Sequence, residues 1–400
     1  MKGWKKVRIG DLFEIKAGGD LQEANYSPCR TDHARWAIYA NSLENKGLYG
    51  YTSQPRFRGN AVTITGRGEV GHAEFRDDDF DAIVRLLVLL PKVDVDCRYI
   101  TYYINSLVHF PKESTGVPQL TAPKVKRIKI NLPQLKTGQT AIANILTKVD
   151  EAIVSVQNSI TVAERLKKSL MQNLLTGKMK PDGTFRTSEE FYIDEKFGKV
   201  PIGWEVKKLK DIAQIQRGKF GHRPRNDERF YNGDFPFVQT GDVVESVFFL
   251  KGASQSLNAL GASVSRSFPV NTIIMTIAAN IGFVALTRYE VFFPDSLIGI
   301  NAKEDVINPS YLLLHLMRYK NILDAQATES AQKNINYSNL RPLPILFPTK
   351  KEEQLQITNK VIAIFSEIDS KKTKIKILEQ LKKSLMQNLL TGKIVIANQN

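Results

Sequence analysis

The sequence LKKSLMQNLLTGK occupies residues 166–178 and occurs again, residue for residue, at 381–393. An identity of this length, at an offset of 215 residues, indicates an internal duplication. Fainter matches extend the repeat, in the pairs Pro133/Pro348, Gln139/Gln354, Ile142/Ile357 and Trp4/Trp204. The sequence therefore predicts two equivalent halves, each made of one globular region followed by one shared tail.

Each tail is predicted to be one long helix, because its apolar residues alternate at spacings of four and three, the heptad pattern of a coiled coil. The predicted seam consists of Ile142, Leu146, Val149, Ile153, Val156 and Ile160 in the first tail, and of Ile357, Val361, Ile364, Ile368, Ile375 and Leu378 in the second. A heptad seam needs a partner, and the other tail is the obvious one. We expect an antiparallel pair with the globular regions at opposite ends, although the sequence is also compatible with a parallel pair.

The predicted fold class is α+β, with two globular domains separated by the two long helices. Short β-type runs at 61–65 and 273–277, and helical runs at 98–107 and 309–316, support a mixed fold. The predicted boundaries are a first globular domain at 1–135, a central helix at 136–178, a linker at 179–200, a second globular domain at 201–348, a C-terminal helix at 349–393 and a tail at 394–400.

The chain is strongly basic, since 56 Lys and Arg residues against 41 Asp and Glu residues give a formal net charge of +15. A protein this basic usually meets a polyanion, most often nucleic acid. Lys and Arg suit phosphate contacts and guanine edges, whereas the alternative for any single residue is a solvated charged face. The candidate DNA-binding residues are Arg56, Arg58, Arg67, Lys124, Lys126, Arg217, Lys219, Arg223, Arg225 and Lys333.

Two motifs resemble cofactor or catalytic sites but favour structural roles. Residues 66–71, GRGEVG, fit the GxGxxG pattern, yet no helix is predicted after them, so a tight loop presenting Arg67 is favoured. Residues 308–311, NPSY, approach the NPPY signature of adenine methylases but favour a helix start capped by Asn308. The sequence contains no GxxxxGK[ST] and no HExxH. We therefore expect no catalytic residue, metal or cofactor in this chain.

The two cysteines, Cys29 and Cys97, are too few for a disulfide framework, and the N-terminus has no apolar run of signal-peptide length. We expect a reduced, cytoplasmic protein.

The identity of the two tails extends to outward-facing positions, such as Lys168, Gln172 and Asn173. A coiled-coil seam does not require identical outer faces, so the match suggests that the same partner docks twice. The alternative is a recent duplication or gene conversion of the helix segment.

With Gly-Trp at the start of each half, Pro before each long helix and LKKSLMQNLLTGK at its end, the chain resembles the specificity subunit of type I restriction–modification systems over essentially its whole length. The resemblance implies that each globular region is a target-recognition domain, reading one part of a split, asymmetric double-stranded DNA site. It implies that the helix pair sets the unread spacer and binds two copies of a DNA adenine methylase subunit, which restriction and translocase subunits then join. S-adenosylmethionine, ATP and Mg would belong to those partners. Because the longest apolar run, near Leu86–Leu90, is far too short to span a bilayer, we expect no membrane partner.

Two other functions are compatible with parts of the sequence. A stand-alone DNA methylase or nuclease would need a cofactor or metal site, and only the motif at Asn308 supports it. A coiled-coil interaction scaffold without sequence-specific DNA reading would use the helices alone.

Overall fold

The structure is a computed structural model that describes residues 3–110, 119–222, 225–278, 280–328 and 335–394. The chain divides into two compact units, Met1–Gln157 with Thr373–Asn400, and Asn158–Lys372. Each unit contains one mixed globular region and a part of both long helices. None of the helices in the described ranges combines the length and the hydropathy that a membrane crossing requires.

The first half contains strands β1 (Trp4–Arg8), β2 (Phe13–Ala17), β3 (Tyr26–Ser27), β4 (Trp36–Tyr39), β5 (Leu48–Thr52), β6 (Ala61–Ile64), β7 (Ala73–Arg76), β8 (Phe80–Ala82), β9 (Leu87–Pro91) and β10 (Lys129–Pro133). Its helices are α1 (Ile9–Leu12), α2 (Cys97–Leu107), α3 (Ala122–Lys126) and the long α4 (Lys136–Leu175).

The second half contains strands β11 (Phe191–Asp194), β12 (Gly198–Pro201), β13 (Trp204–Lys208), β14 (Ala213–Arg217), β15 (Tyr231–Phe237), β16 (Gln255–Leu257), β17 (Ser267–Phe268), β18 (Ile273–Thr276), β19 (Val284–Leu286), β20 (Val291–Phe292), β21 (Leu297–Ala302) and β22 (Pro344–Pro348). Its helices are α5 (Leu209–Ile212), α6 (Thr240–Glu245), α7 (Ala259–Ser263), α8 (Pro309–Thr328), α9 (Tyr337–Leu340) and the long α10 (Lys351–Leu389). Residues 179–200, where the sequence predicts a linker, include β11 and all of β12 except its last residue, Pro201.

The inner sheets of the two halves repeat one another. The order β2-β9-β6-β7 corresponds to β14-β21-β18-β19, and in both sheets every pair is antiparallel. The first and last strands of each half also pair in the same register, with Trp4 opposite Pro133 and Trp204 opposite Pro348. The residues matched in the sequence therefore hold equivalent places.

The outer sheets are less alike. Both contain one parallel pair, β4 with β8 in the first half and β15 with β20 in the second. The fourth strand differs, because β3 adds to β5 in the first half whereas β17 adds to β20 in the second. Divergence is thus concentrated in the outer sheets, over a repeated inner framework.

A buried glutamine joins each long helix to its own globular region. Gln139 accepts a hydrogen bond from the Asp96 N–H (3.0 Å) and donates one to the Pro133 carbonyl oxygen (3.0 Å). Gln354 accepts from the Asn308 N–H (2.7 Å) and donates to the Pro348 carbonyl oxygen (2.8 Å). A buried amide is stable only with its donors and acceptors satisfied. These paired bonds explain why glutamine occurs at both positions.

The end of each long helix packs against the start of the other. In the first unit, apolar residues at the end of α10 share one cluster with residues at the start of α4, namely Leu385, Met386, Leu389 and Leu390 with Ile142, Ala143 and Leu146. In the second unit, the end of α4 does the same with the start of α10, through Leu170, Met171, Leu174 and Leu175 with Ile357, Val361 and Phe365. The pair is therefore antiparallel, as expected, and the parallel alternative is wrong.

Four of the five buried seam residues pack with a globular region, and the fifth, Ile368, lies near the middle of α10. Buried seam residues are Ile142, Leu146, Ile357, Val361 and Ile368, and half-buried ones are Val149, Ile153, Val156, Ile160, Ile364, Ile375 and Leu378. Two ion pairs join the helices beside the half-buried seam residues, with Lys382 Nζ 2.7 Å from Asp150 Oδ1 and Lys372 Nζ 3.4 Å from Glu164 Oε1.

Candidate nucleic-acid interface

The glycine motif at 66–71 forms the loop between the antiparallel strands β6 and β7. A dinucleotide site needs a strand followed by a helix, so this loop does not have the required geometry. Asn41 fixes the loop, since its Oδ1 accepts from the Gly66 N–H (2.6 Å) and the Arg67 N–H (3.2 Å), and its Nδ2 donates to the Arg67 carbonyl oxygen (2.6 Å). Arg67 itself is exposed. A fixed backbone that presents an exposed guanidinium suits contact with a phosphate or a guanine edge.

Arg56 is engaged inside the first domain. Its Nε lies 2.6 Å from Oδ1 of Asp81, a carboxylate that is only 2% exposed, and its Nη2 donates to the carbonyl oxygens of Asp20 and Ala82 (both 3.2 Å). A buried carboxylate without its cation is strongly destabilising, so Arg56 has a structural role whether or not it also meets DNA. Arg58, two residues on, is exposed.

Lys124 and Lys126, which are predicted to bind DNA, lie on the short helix α3. Lys124 and Lys126 are both exposed, whereas Val125 between them is fully buried. Helix α3 therefore turns its lysines away from the core of the first domain.

In the second half, the basic residues that are predicted to bind DNA differ from one another in their surroundings. Arg217 ends β14, is half-buried, and its backbone N–H donates to the Tyr337 hydroxyl oxygen (2.5 Å). Lys219 is exposed, and Arg225 forms an ion pair with Asp295. Arg223 and Lys333 lie outside the described residues. DNA contact by any of the ten residues stays a prediction.

A cleft in the second domain contains polar residues that a search for basic residues does not find. It encloses about 370 Å³ and is lined by Phe220, Arg225, Asn226, Glu228, Tyr231, Phe237, Gln239, Gln255, Pro294 and Ser296. Phe220 and Phe237 are buried, with ring centroids 5.3 Å apart, and give the cleft part of its apolar lining. In the same lining, Gln239 Nε2 donates to Gln255 Oε1 (2.9 Å). Neutral amides leave no trace in charge or periodicity, which is why sequence analysis missed them.

The acidic residue Asp227, just before the short helical turn at 228–230, is matched by nearby cations. The hydrogen bond from Arg229 holds the pKa of the Asp227 carboxyl far below its usual range. Its Oδ2 lies 2.7 Å from Arg229 Nη2 and 3.0 Å from His222 Nε2. The carboxylate therefore stays ionised at any pH used for DNA binding, with its charge offset locally.

The motif at 308–311 is a helix start, as predicted. Asn308 Oδ1 accepts from the backbone N–H groups of Ser310 (2.9 Å) and Tyr311 (3.2 Å), and α8 begins at Pro309. Tyr311 is fully buried, and its hydroxyl donates to the Leu346 carbonyl oxygen (3.1 Å). Asp96 caps α2 in the same way, and Tyr99 donates to the Asn131 carbonyl oxygen (3.1 Å). The feature that suggested a methylase is thus a structural element present in both halves.

The long helices expose identical or similar side chains at equivalent positions. We define the shared outer faces as residues 162, 166, 168 and 172 on α4, and 377, 381, 383 and 387 on α10. Each face carries two apolar residues one turn apart, Val162 (65% exposed) with Leu166 (46%), and Ile377 (59%) with Leu381 (46%). Exposed apolar pairs repeated on two surfaces are typical of protein contacts.

Comparison with known proteins identifies the family. Residues 1–165 and 201–382 match the family model of the type I restriction modification DNA specificity domain. The MjaVIII type I restriction enzyme specificity subunit of Methanocaldococcus jannaschii is 28% identical over 76% of this chain and 72% of its own length. The HindI specificity subunit of Haemophilus influenzae is 22% identical over 98% of this chain and all of its own. The crystal structure of a type I restriction–modification S subunit from M. genitalium shares the fold, with a TM-score of 0.66, 15% identity and 96% coverage of both chains.

Proposed function

The chain belongs to the family of type I restriction–modification DNA specificity proteins, and we propose that it is the subunit that reads a bipartite, asymmetric DNA site for a type I complex. The observation that carries the proposal is the pattern of divergence. The inner sheets repeat strand for strand, whereas the outer sheets differ in their edge strand. Two surfaces on one framework suit the reading of two different half-sites.

Exchange of one globular region tests this division of labour. Replacing residues 201–348 with the matching region of another specificity subunit should change one half of the methylated DNA motif and leave the other half as it was. A motif that changes in both halves, or in neither, would contradict the proposal that each region reads its own half-site.

The proposal includes two methylase subunits, one on each shared outer face, and restriction subunits that join through them. The support is chemical, because the exposed apolar pair and the neighbouring lysine and glutamine are repeated on both helices. One partner surface can recognise both faces only if they present the same groups. The chain itself would be non-catalytic, with S-adenosylmethionine, ATP and Mg bound by the partner subunits.

Docking is tested by native mass spectrometry of the chain co-expressed with its methylase. The wild-type complex should carry two methylases, Leu166→Asp or Leu381→Asp should leave one, and the double variant none. Leu355→Asp is the matched control, since Leu355 is 45% exposed on α10 but lies outside both faces. Retention of two methylases by both single variants would rule out these faces.

A further inference from the structure

The cleft of the second domain contains a pair of hydrogen-bonded amides, Gln239 and Gln255, that belongs neither to the shared outer faces nor to an ion pair. Gln255 is exposed and Gln239 is half-buried. Gln255 also lines a neighbouring hollow of about 290 Å³, together with Tyr231, Asn232 and Ser254. Gln255 therefore borders both hollows, and its exposed side chain is accessible to an approaching ligand.

The backbone that carries both amides is fixed. Asp242 Oδ2 accepts from the Gln239 N–H (2.8 Å), the Ser254 N–H (3.0 Å) and the Ser254 hydroxyl (3.0 Å). One carboxylate thus ties the end of β15 to the start of β16, where Gln255 pairs with Phe237. A group held in place before binding loses little conformational entropy when it meets its ligand.

The chemistry of the lining indicates a base edge and not a phosphate. Phosphate contacts rely on cations, but Arg225 is paired with Asp295, and Glu228 would repel a phosphate. Carboxamides recognise bases, because the side-by-side donor and acceptor of glutamine match N7 and N6–H₂ of adenine in the major groove. Gln255 keeps both functions, since its Nε2 makes no hydrogen bond to the described residues and its Oε1 retains a second lone pair.

We infer that Gln255 reads the adenine of one A·T base pair in the half-site recognised by the second domain, and that Gln239 is a positioning residue that orients its carboxamide. This inference rests on the proposed function and adds to it a specificity-determining residue and the base that it reads. Gln239 orients Gln255 by donating to Oε1, which leaves Nε2 to donate to adenine N7 and the second lone pair of Oε1 to accept from N6–H₂.

The test uses the complete methylase complex with its mapped recognition site. Binding is measured for duplexes in which each base pair of the site is replaced in turn. The wild-type complex should prefer A·T at one position of one half-site by about 10- to 100-fold. Gln255→Met should abolish the preference at this position and leave the preferences at all other positions unchanged. Gln255→Glu, which only accepts hydrogen bonds, should shift the preference at the same position to a cytosine, whose N4 is a donor.

Gln239→Met tests the positioning role, and should reduce the preference at that same position without creating a new one. Gln214→Met is the matched control, because Gln214 is an exposed strand glutamine of the same domain outside the cleft. Unchanged preferences with Gln255→Met would overturn the inference, and so would an equal loss of binding to every duplex. Failure of the inference is distinguishable from failure of the proposed function, which would leave the methylated motif independent of the gene.

Discussion

Leu389 allows a test of the antiparallel helix pair, because it lies near the end of the chain yet packs in the core of the first unit. It is 3% exposed and packs in the cluster that contains Leu146, Tyr99 and Leu89. The change Leu389→Ala removes three carbon atoms from this cluster. Its effect should therefore appear in the first half, about 290 residues earlier in the sequence.

The expected size follows from the burial. Leu→Ala at fully buried sites costs about 2–5 kcal/mol, depending on how far the surroundings close the cavity. Leu389 lies on a helix that can shift slightly, so we expect about 3 kcal/mol of lost stability for the first unit. Amides that exchange only when this unit opens should then exchange roughly 100-fold faster, since 1.4 kcal/mol corresponds to a factor of ten.

Hydrogen exchange of the full-length chain, followed by mass spectrometry, reads this effect by region. Peptides covering β6, β9 and α2 should lose protection, whereas those covering β18 and β21 should keep it. Leu381→Ala is the matched control, the same substitution on the same helix at a residue that is 46% exposed. Leu174→Ala, the equivalent change in α4, should loosen the second unit only. If Leu389→Ala loosened β18 and β21, or changed nothing, the antiparallel assignment would be refuted.

Three further perturbations follow from single side chains. Arg67→Ala should weaken binding of the assembled complex at one half-site, because the Asn41-held loop presents this guanidinium, and unchanged affinity for site duplexes would remove Arg67 from the candidates. Ile153→Asp puts a charge into the half-buried seam and should lower the melting temperature. Val154→Asp is the control and should not lower it, because Val154 is 57% exposed. Equal melting temperatures of the two variants would contradict the assignment of Ile153 to the seam. Burial lowers the pKa of His315 from its ordinary value of 6.5 to about 3 in the folded chain. As pH falls from 6.5 towards 3, the unfolded chain binds a proton at this histidine and the folded chain does not. The free energy of unfolding therefore decreases over this range. Between pH 7.5 and 5.5 the wild type should lose about 1.4 kcal/mol more than His315→Gln, measured by denaturant unfolding, and parallel losses would disprove this role.

The long helices were predictable because their signal is local and repeated. A heptad pattern and an identical closing motif fix the element type, although only packing decides the direction of the pair, through Leu174 and Leu389 meeting the other half's core. Helix α8 runs to Thr328, well beyond the predicted end at residue 316. The prediction stopped early because the later turns of the helix are more polar, which weakens the apolar periodicity. The match of Gln139 with Gln354 was visible in the sequence, but its role depends on residues about 45 positions away.

The candidate interface was less predictable. A search for cations finds Arg56 and Arg225 readily, yet the structure places both in ion pairs with aspartates far away in sequence. It misses Gln239 and Gln255, because Gln239 lies just after β15 and Gln255 begins β16, 16 positions later, so only folding brings the two amides together. Contacts of this kind leave no periodicity in the sequence, so only the three-dimensional arrangement reveals them.

The most direct test of the central claim is a map of methylated adenines in the host genome, with this gene intact, deleted and restored. If the chain sets DNA specificity, a split, asymmetric motif should lose its methylation on deletion and regain it when the gene is restored. If every methylated motif persisted without the gene while the rest of the type I system was expressed and active, the chain would not set DNA specificity.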